Sequence, residues 1–307
     1  MSVRERRTFP LVPRRRLSGL PFGDLPSRRR GHGSDVIGSR PYEPGDPVST
    51  IDWFTSARLS ATMGDAEFVV RDRAADEAPR VAVVVDRRPA MGLYPAGLPW
   101  LSKRDAVREA VAAIAASAAA ARADIAALDF GDGEPWWLPP GRRDRVWQVV
   151  EREGGETPFA APEDTVERSL EFLGGRRTDL PGGAFVFVLS DFLAGPPTEA
   201  WLRAVGRGWE IVPVVVQDPV WESSFPAVGG VAVPVADPRS GRISLVRVGA
   251  REAARRREEN ERRHARLLDE LASVGLRAVP IATSDPLEID LAFIDWADER
   301  RWSRWLR

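Results

Sequence analysis

Val81-Ala82-Val83-Val84-Val85-Asp86 is a continuous apolar, largely β-branched run closed by an acid. A strand covered on both faces reads this way, as in a parallel sheet. Working outward, similar runs occupy Ile125 to Phe130, Ala184 to Leu189 and Ile211 to Val216, with a shorter one at Ala278 to Ile281. Between them lie segments of helical period. Lys103 to Ala121 places Val107, Ala110, Val111, Ile114 and Ala118 on one face. Arg143 to Arg152, Val166 to Leu173 and Thr198 to Val205 are shorter helices. Strands alternating with helices predict a doubly wound, Rossmann-like α/β sheet. Asp86, Asp129, Asp191 and Asp218 fall at or just beyond the strand carboxyl ends, where open α/β sheets bind ligands.

Two runs around Asp237-Pro238-Arg239-Ser240-Gly241 predict a hairpin near 231–248. A charged helix follows over Ala250 to Val274, read as a solvated face with i,i+4 pairs. A last helix, Pro286 to Trp305, carries Phe293, Trp296, Trp302 and Trp305, read chiefly as packing aromatics.

Composition removes whole chemistries. The 307 residues include no cysteine, so disulfides, thiolate metal sites and cysteine nucleophiles are excluded. His32 and His264 are the only histidines and Lys103 the only lysine. A multi-histidine metal site, a His-based hydrolase and a phosphate-binding P-loop are therefore not expected. No Gly-x-Ser-x-Gly element is present either. The longest small-apolar stretch, Ala110 to Ala121, is too short and alanine-rich to span a bilayer. No apolar core follows the basic N-terminus, so a cytoplasmic location is expected.

The net charge of −1 conceals an asymmetry. Residues 1–40 hold ten arginines against Glu5, Asp24 and Asp35, a balance of +7 that leaves −8 for the rest. Residues 1–30 are read as a basic, flexible arm lying on the acidic body. Nucleic acid or an anionic surface is the alternative partner for it.

Residues 31–75 differ in character, with Gly31-His32-Gly33-Ser34, then Arg40-Pro41-Tyr42-Glu43-Pro44-Gly45-Asp46-Pro47, then Ile51-Asp52-Trp53-Phe54-Thr55-Ser56-Ala57-Arg58. Pro and Gly force a turn. Arg40, Asp46, Asp52 and Arg58 are expected to form charge-assisted pairs, and Tyr42 and Trp53 to supply buried aromatic area. The segment reads as an ordered clamp packed on the α/β body at 76–307. Asp46 and Asp52 as paired catalytic carboxylates is the lesser reading.

The ordered block Arg40, Tyr42, Pro44, Gly45, Asp46, Ile51, Asp52, Trp53, Ala57, Arg58 resembles the bacterial domain-of-unknown-function family number 58, DUF58. The resemblance extends over about residues 31–305, with Leu189-Ser190-Asp191-Phe192 closing a central strand. It implies a von Willebrand factor A (vWA) domain with a mostly parallel sheet and one antiparallel edge strand, here Trp136-Trp137-Leu138. It further implies an adaptor that works with a MoxR-type AAA+ ATPase on client proteins, and the lack of a catalytic constellation makes a non-enzymatic role the expectation. Many relatives carry N-terminal membrane helices where this sequence has the basic arm.

Many vWA domains hold Mg²⁺ in a metal-ion-dependent adhesion site, patterned Asp-x-Ser-x-Ser with a loop Thr and a further Asp. Such a site offers Mg²⁺ hard oxygens and keeps one position for a partner carboxylate. Here the pattern reads Asp86-Arg87-Arg88-Pro89-Ala90, with Thr157 as the loop threonine and Asp191 as the last acid. Both serines are gone, to Arg88 and Ala90. Two close acids need a cation, and a guanidinium is permanently one. The expectation is that Arg88 replaces Mg²⁺, or that Arg87 does so with Arg88 turned out, and that no cofactor is required. A weak metal on Asp86, Thr157, Asp191 and waters is the competing reading. A top face near Asp86 to Leu93 would meet the partner. A hydrolase using the strand-end acids is the enzymatic alternative.

Overall fold

The run ending at Asp86 lies inside a six-stranded sheet. The computed structural model describes residues 6–13, 25–30, 36–43, 46, 48–63, 68–77, 79–92, 101–142, 144–176, 178–236 and 242–305. The chain order is β1 (Leu25–Arg30), β2 (Val36–Pro41), α1 (Trp53–Met63), β3 (Val69–Glu77), β4 (Arg80–Val85), α2 (Pro89–Gly92), α3 (Lys103–Ala120), β5 (Asp124–Asp129) and β6 (Trp136–Gly141). It continues with α4 (Asp144–Gly154), α5 (Thr165–Gly174), β7 (Phe185–Ser190), α6 (Thr198–Gly206), β8 (Glu210–Val216), β9 (Val231–Ala236), β10 (Ile243–Val248), α7 (Ala250–Ser273), β11 (Val279–Ile281) and α8 (Pro286–Trp305).

The central sheet has the order β11-β8-β7-β4-β5-β6. All neighbours are parallel except β6, which runs antiparallel to β5 at the edge. This is the mixed α/β architecture expected. Pro139 and Pro140 sit in β6, where an edge tolerates a missing N–H. Successive residues of β4 feed opposite layers, because side chains alternate across a strand. Val81, Val83 and Val85 join the layer under α3, α4 and α8, and Ala82 and Val84 the layer under α5, α6 and α7. Ser102 caps α3, its hydroxyl accepting from Asp105 N at 3.4 Å. Ala106, Ala110, Ala113 and Ala118 are fully buried, so α3 can lie close to its neighbours.

The N-terminal residues overturn one expectation. Residues 6–13 are built into the core instead of lying on the body as a flexible arm. Phe9 is 3% exposed, stacks on Phe293 at 4.8 Å and meets Phe187 and Trp296 edge-on. Its N–H donates to Ser117 Oγ, and Arg300 donates to Val12 O. Arg6 is buried against Glu109 at 2.7 Å, with Asp290 at 3.8 Å. The physical reason is local: Phe9 and Leu11, two apart in an extended chain, share one face and bury it. Phe9→Ala should cost about 3–5 kcal/mol in urea unfolding, as large-to-small core changes do. A flexible arm would show no change.

The boundary at residue 30 also moves, because β1 pairs with β3 in a small antiparallel sheet of order β1-β3-β2. Here Arg40 grips Asp46 through two bonds of 2.8 and 2.5 Å, and Glu43 N donates to the same carboxylate. That guanidinium holds the Asp46 carboxyl below its ordinary range. Asp52 caps α1, accepting from the Thr55 N–H and hydroxyl. Tyr42 is half-buried beside Phe68. Trp53, expected to be buried, is 59% exposed and Phe54 71%. The cause is that α1 and the turn Val48–Thr50 rest on β3, and among the described residues no second layer covers the outer face of the helix. Trp53 leans on Phe68 and Arg58 stacks over Phe54. His32, Pro44, Gly45, Leu93 and the 237–241 turn lie outside the described residues.

Candidate functional site

β4 and β7 are parallel neighbours, with Val85 opposite Leu189. The chain moves from β4 to β5 on one side and later to β7 on the other. The order therefore reverses between β4 and β7, the point at which open α/β sheets place ligands. Asp86 leaves β4 at this point, and Ser190 and Asp191 leave β7. All three are fully buried or nearly so.

Arg88 turns inward between them. Its Nε donates to both Asp86 oxygens, at 3.1 and 2.9 Å. One terminal nitrogen reaches Asp86 Oδ2 at 2.5 Å, and Ser190 Oγ and Asp191 Oδ1 at 3.1 Å each. The other donates to Ala194 O. Ser190 Oγ donates to Asp86 Oδ2 and accepts from Phe192 N. Phe192 adopts a left-handed backbone, φ 49°, in the turn that carries Asp191 into place.

The second oxygen of Asp191 takes the Lys103 ammonium at 2.9 Å, and Lys103 also binds Glu222 Oε1 at 2.5 Å. Lys103 has no exposed surface. Burial alone would lower the lysine pKa, but Asp191 and Glu222 outweigh it and the pKa rises. Arg88 is likewise raised against burial by Asp86 and Asp191. For Asp191, burial works upward, yet Lys103 and Arg88 hold it below the usual carboxylate range. Burial keeps Glu222 above its ordinary value despite Lys103. Glu222 is fixed from behind by Asp218 N. α7 clamps this loop through Asn260 to Trp221 O and Ser224 O, and Arg263 to Glu222 O. His264 meets Gln217 Oε1 at 2.7 Å, while Gln217 Nε2 donates to Asp191 O.

Arg87 points the other way. It bonds Glu153, lies 3.9 Å from Asp129 and stacks on Phe159. Arg152 forks onto Asp129 with two bonds of 2.9 Å. Burial, with Asp129 nearby, pushes the Glu153 pKa up to about 7 against the pull of Arg87. The native state thus binds a proton on Glu153 that the unfolded chain releases near its ordinary 4.5. The associated stability is full below that value and is lost as pH rises through about 7. Between about pH 5 and pH 8 the wild type should lose about 1–3 kcal/mol that Glu153→Gln does not. Urea melts at both pH values check it; parallel losses would contradict it.

Of the residues singled out from the sequence, Asp86, Arg88 and Asp191 come together. Arg87 belongs to the Asp129 cluster. The Thr157 hydroxyl donates to Arg152 O on the Arg87 side, and Ala90 is buried in α2. Asp129 and Asp218 are engaged with Arg152 and with Val220 and Trp221 N–H groups. Sequence reasoning missed Lys103 and Glu222. A signal for Lys103 existed: a lone lysine opening a helix, where the macrodipole disfavours positive charge, must be met by an acid. Nothing marked Glu222.

The donor set does not fit Mg²⁺. A cation held by Asp86 and Asp191 would lie among the N–H groups of Arg88 and Lys103, with no serine oxygen from positions 88 and 90.

The DUF58 pattern, described as "Protein of unknown function DUF58", matches residues 38–267, about three-quarters of the chain. The chain belongs to DUF58. It is 28% identical over 228 residues to uncharacterised proteins of Mycobacterium tuberculosis and Mycobacterium bovis, covering 74% of this chain and 68% of each relative. Among solved structures it is similar to the conserved hypothetical protein BatB from Bacteroides thetaiotaomicron, at 15% identity and TM-score 0.44. It is similar also to an aerotolerance-related membrane protein from Bacteroides fragilis, at 14% and 0.46. Both alignments cover 72% of this chain and all of the other. An uncharacterised membrane spanning protein from Vibrio fischeri gives 17% and 0.28, covering 72% of this chain and 98% of that one. The cytoplasmic location expected for this DUF58 chain is corrected by these neighbours, two of which are described as membrane proteins. That expectation rested on the lack of an apolar core after the basic N-terminus. Among the described residues no helix is long and apolar enough to cross a membrane, which fixes no compartment.

Proposed function

We propose that this DUF58 chain is a non-enzymatic, vWA-like binding module whose adhesion site runs on built-in cations instead of metal. It works with a MoxR-type AAA+ ATPase in assembling or remodelling client proteins. The observation that carries this reading is the Arg88–Lys103 pair on Asp86 and Asp191, at the switch point of the sheet. Two monovalent cations there match the charge of one divalent ion, and each is fixed covalently to the chain. The module therefore keeps one geometry whatever the metal supply. Its strand-end acids serve salt bridges and turns, which leaves the surrounding face to binding. The nucleic-acid reading gains nothing from Arg6, which is turned inward onto Glu109.

Affinity capture from native cell extract, with and without ATP, tests the partnership. Recovery of a MoxR-type ATPase in an ATP-dependent manner is expected. Recovery of nucleic acid alone, or loss of the ATPase on chelation with restoration by Mn²⁺ in the absence of nucleotide, contradicts it.

A further inference from the structure

The β9–β10 hairpin stands outside the central sheet and pairs only with itself among the described residues. Its register sets Ile243 opposite Ala236, Leu245 opposite Pro234 and Arg247 opposite Ala232. Side chains alternate across a strand, so Ile243, Leu245 and Arg247 share one face. The opposite face is covered: Val246 and Val248 pack with Phe225, Trp221 and Ala253 at the start of α7. The first face is open. Ile243 is 67% exposed and Leu245 75%, and Ala232 is exposed beside Arg247.

The hairpin itself is basic: from 231 to 251 the sequence carries Arg239, Arg242, Arg247 and Arg251 against one acid, Asp237. In α7, Glu252 is shared by Arg255 and Arg256, while Arg256 and Arg257 turn to Phe225 on the covered side. This excess sits on a chain whose total charge is −1. An apolar strip edged with arginine complements a segment that carries both apolar and acidic side chains. A two-stranded sheet also leaves an outer edge to which an extended segment can add a strand.

We infer that the β10 face and the start of α7 form a docking surface for an extended, acidic, apolar-alternating peptide segment of a protein partner. Other anionic partners suit it less. Residues 231–248 contain no Trp, Tyr or Phe. The surface so lacks the aromatics that anchor proteins at a bilayer interface and those on which single-stranded bases stack. Ile243 and Leu245 at the centre also have no counterpart in a phosphate backbone. The inference rests on the reading of the chain as a binding module, and names what one of its surfaces binds.

A random peptide library of about 14 residues, displayed on yeast and sorted against the full-length protein, tests it. Enriched sequences are expected to be net negative and to alternate apolar residues. Leu245→Asp and Arg247→Glu, both at exposed positions, should each weaken their binding by about tenfold or more, with steep salt dependence. Enrichment of neutral or basic sequences, or binding by the two variants as tight as by wild type, overturns the inference. So does an empty selection, or hairpin-dependent binding to phosphatidylserine vesicles or an oligonucleotide of about 20 bases in place of peptides. Repeating the ATP-dependent capture with the two variants separates the two readings. An ATPase recovered from cells by both variants, with no acidic peptide enriched, leaves the adaptor standing and removes only the hairpin surface.

Discussion

Lys103→Met should lower the stability of the protein by about 3–5 kcal/mol, because it leaves Asp191 and Glu222 buried without their ammonium. Methionine has nearly the volume and reach of lysine, so packing changes little and the loss reports the charge. Adding Glu222→Gln to Lys103→Met should recover part of it, since the double variant leaves one buried carboxylate fewer. Lys103→Arg keeps the charge but forces a planar fork into a site with no exposed surface. It should still cost about 1–3 kcal/mol. Urea denaturation of the four proteins checks the series. A Lys103→Met variant as stable as wild type would show that the buried network does not depend on this cation.

The second large effect concerns Arg88. The Arg88→Ser, Ala90→Ser double variant restores both hydroxyls of the adhesion-site pattern and removes the guanidinium that Asp86, Ser190, Asp191 and Ala194 share. Without metal it should be less stable than wild type by about 3–5 kcal/mol, with Asp86 deprived of its closest cation. Unlike wild type it should respond to Mg²⁺. Asp86 Oδ2 and Asp191 Oδ1 lose the guanidinium and keep only Ser190 Oγ and Leu193 N, so each can turn a lone pair to an ion, while Lys103 stays on Asp191 Oδ2. A millimolar site would return about 1.4 kcal/mol at about 10 mM Mg²⁺ by mass action. Denaturation midpoints with and without Mg²⁺ measure it. A midpoint indifferent to Mg²⁺ would mean that the loop after β4 no longer follows adhesion-site geometry.

These effects also show which features were legible. The strands at Val81, Ile125, Ala184 and Ile211 could be read because burial on both faces demands unbroken apolar runs. The antiparallel edge at Trp136 was legible through the resemblance. At the site, the loss of two serines pointed to Arg88, since two buried acids need a cation somewhere near. Lys103 and Glu222 were harder. They lie 119 residues apart, and only the fold brings their elements to the same end of the sheet. Phe9 was hidden by its setting: charge dominated the reading of the first thirty residues, although Phe9 and Leu11 already carried the spacing of a buried extended chain. Trp53 failed in the other direction. Aromatic size implies burial only where a second layer exists to supply it, and among the described residues α1 has β3 on one face.

Titration calorimetry of the wild-type chain with MgCl₂ and MnCl₂ tests the central claim most directly. With Arg88 and Lys103 already on Asp86 and Asp191, no saturable heat is predicted up to about 10 mM of either ion. One-site binding in the micromolar range would contradict the account, because it would require the metal to displace both cations from their carboxylates.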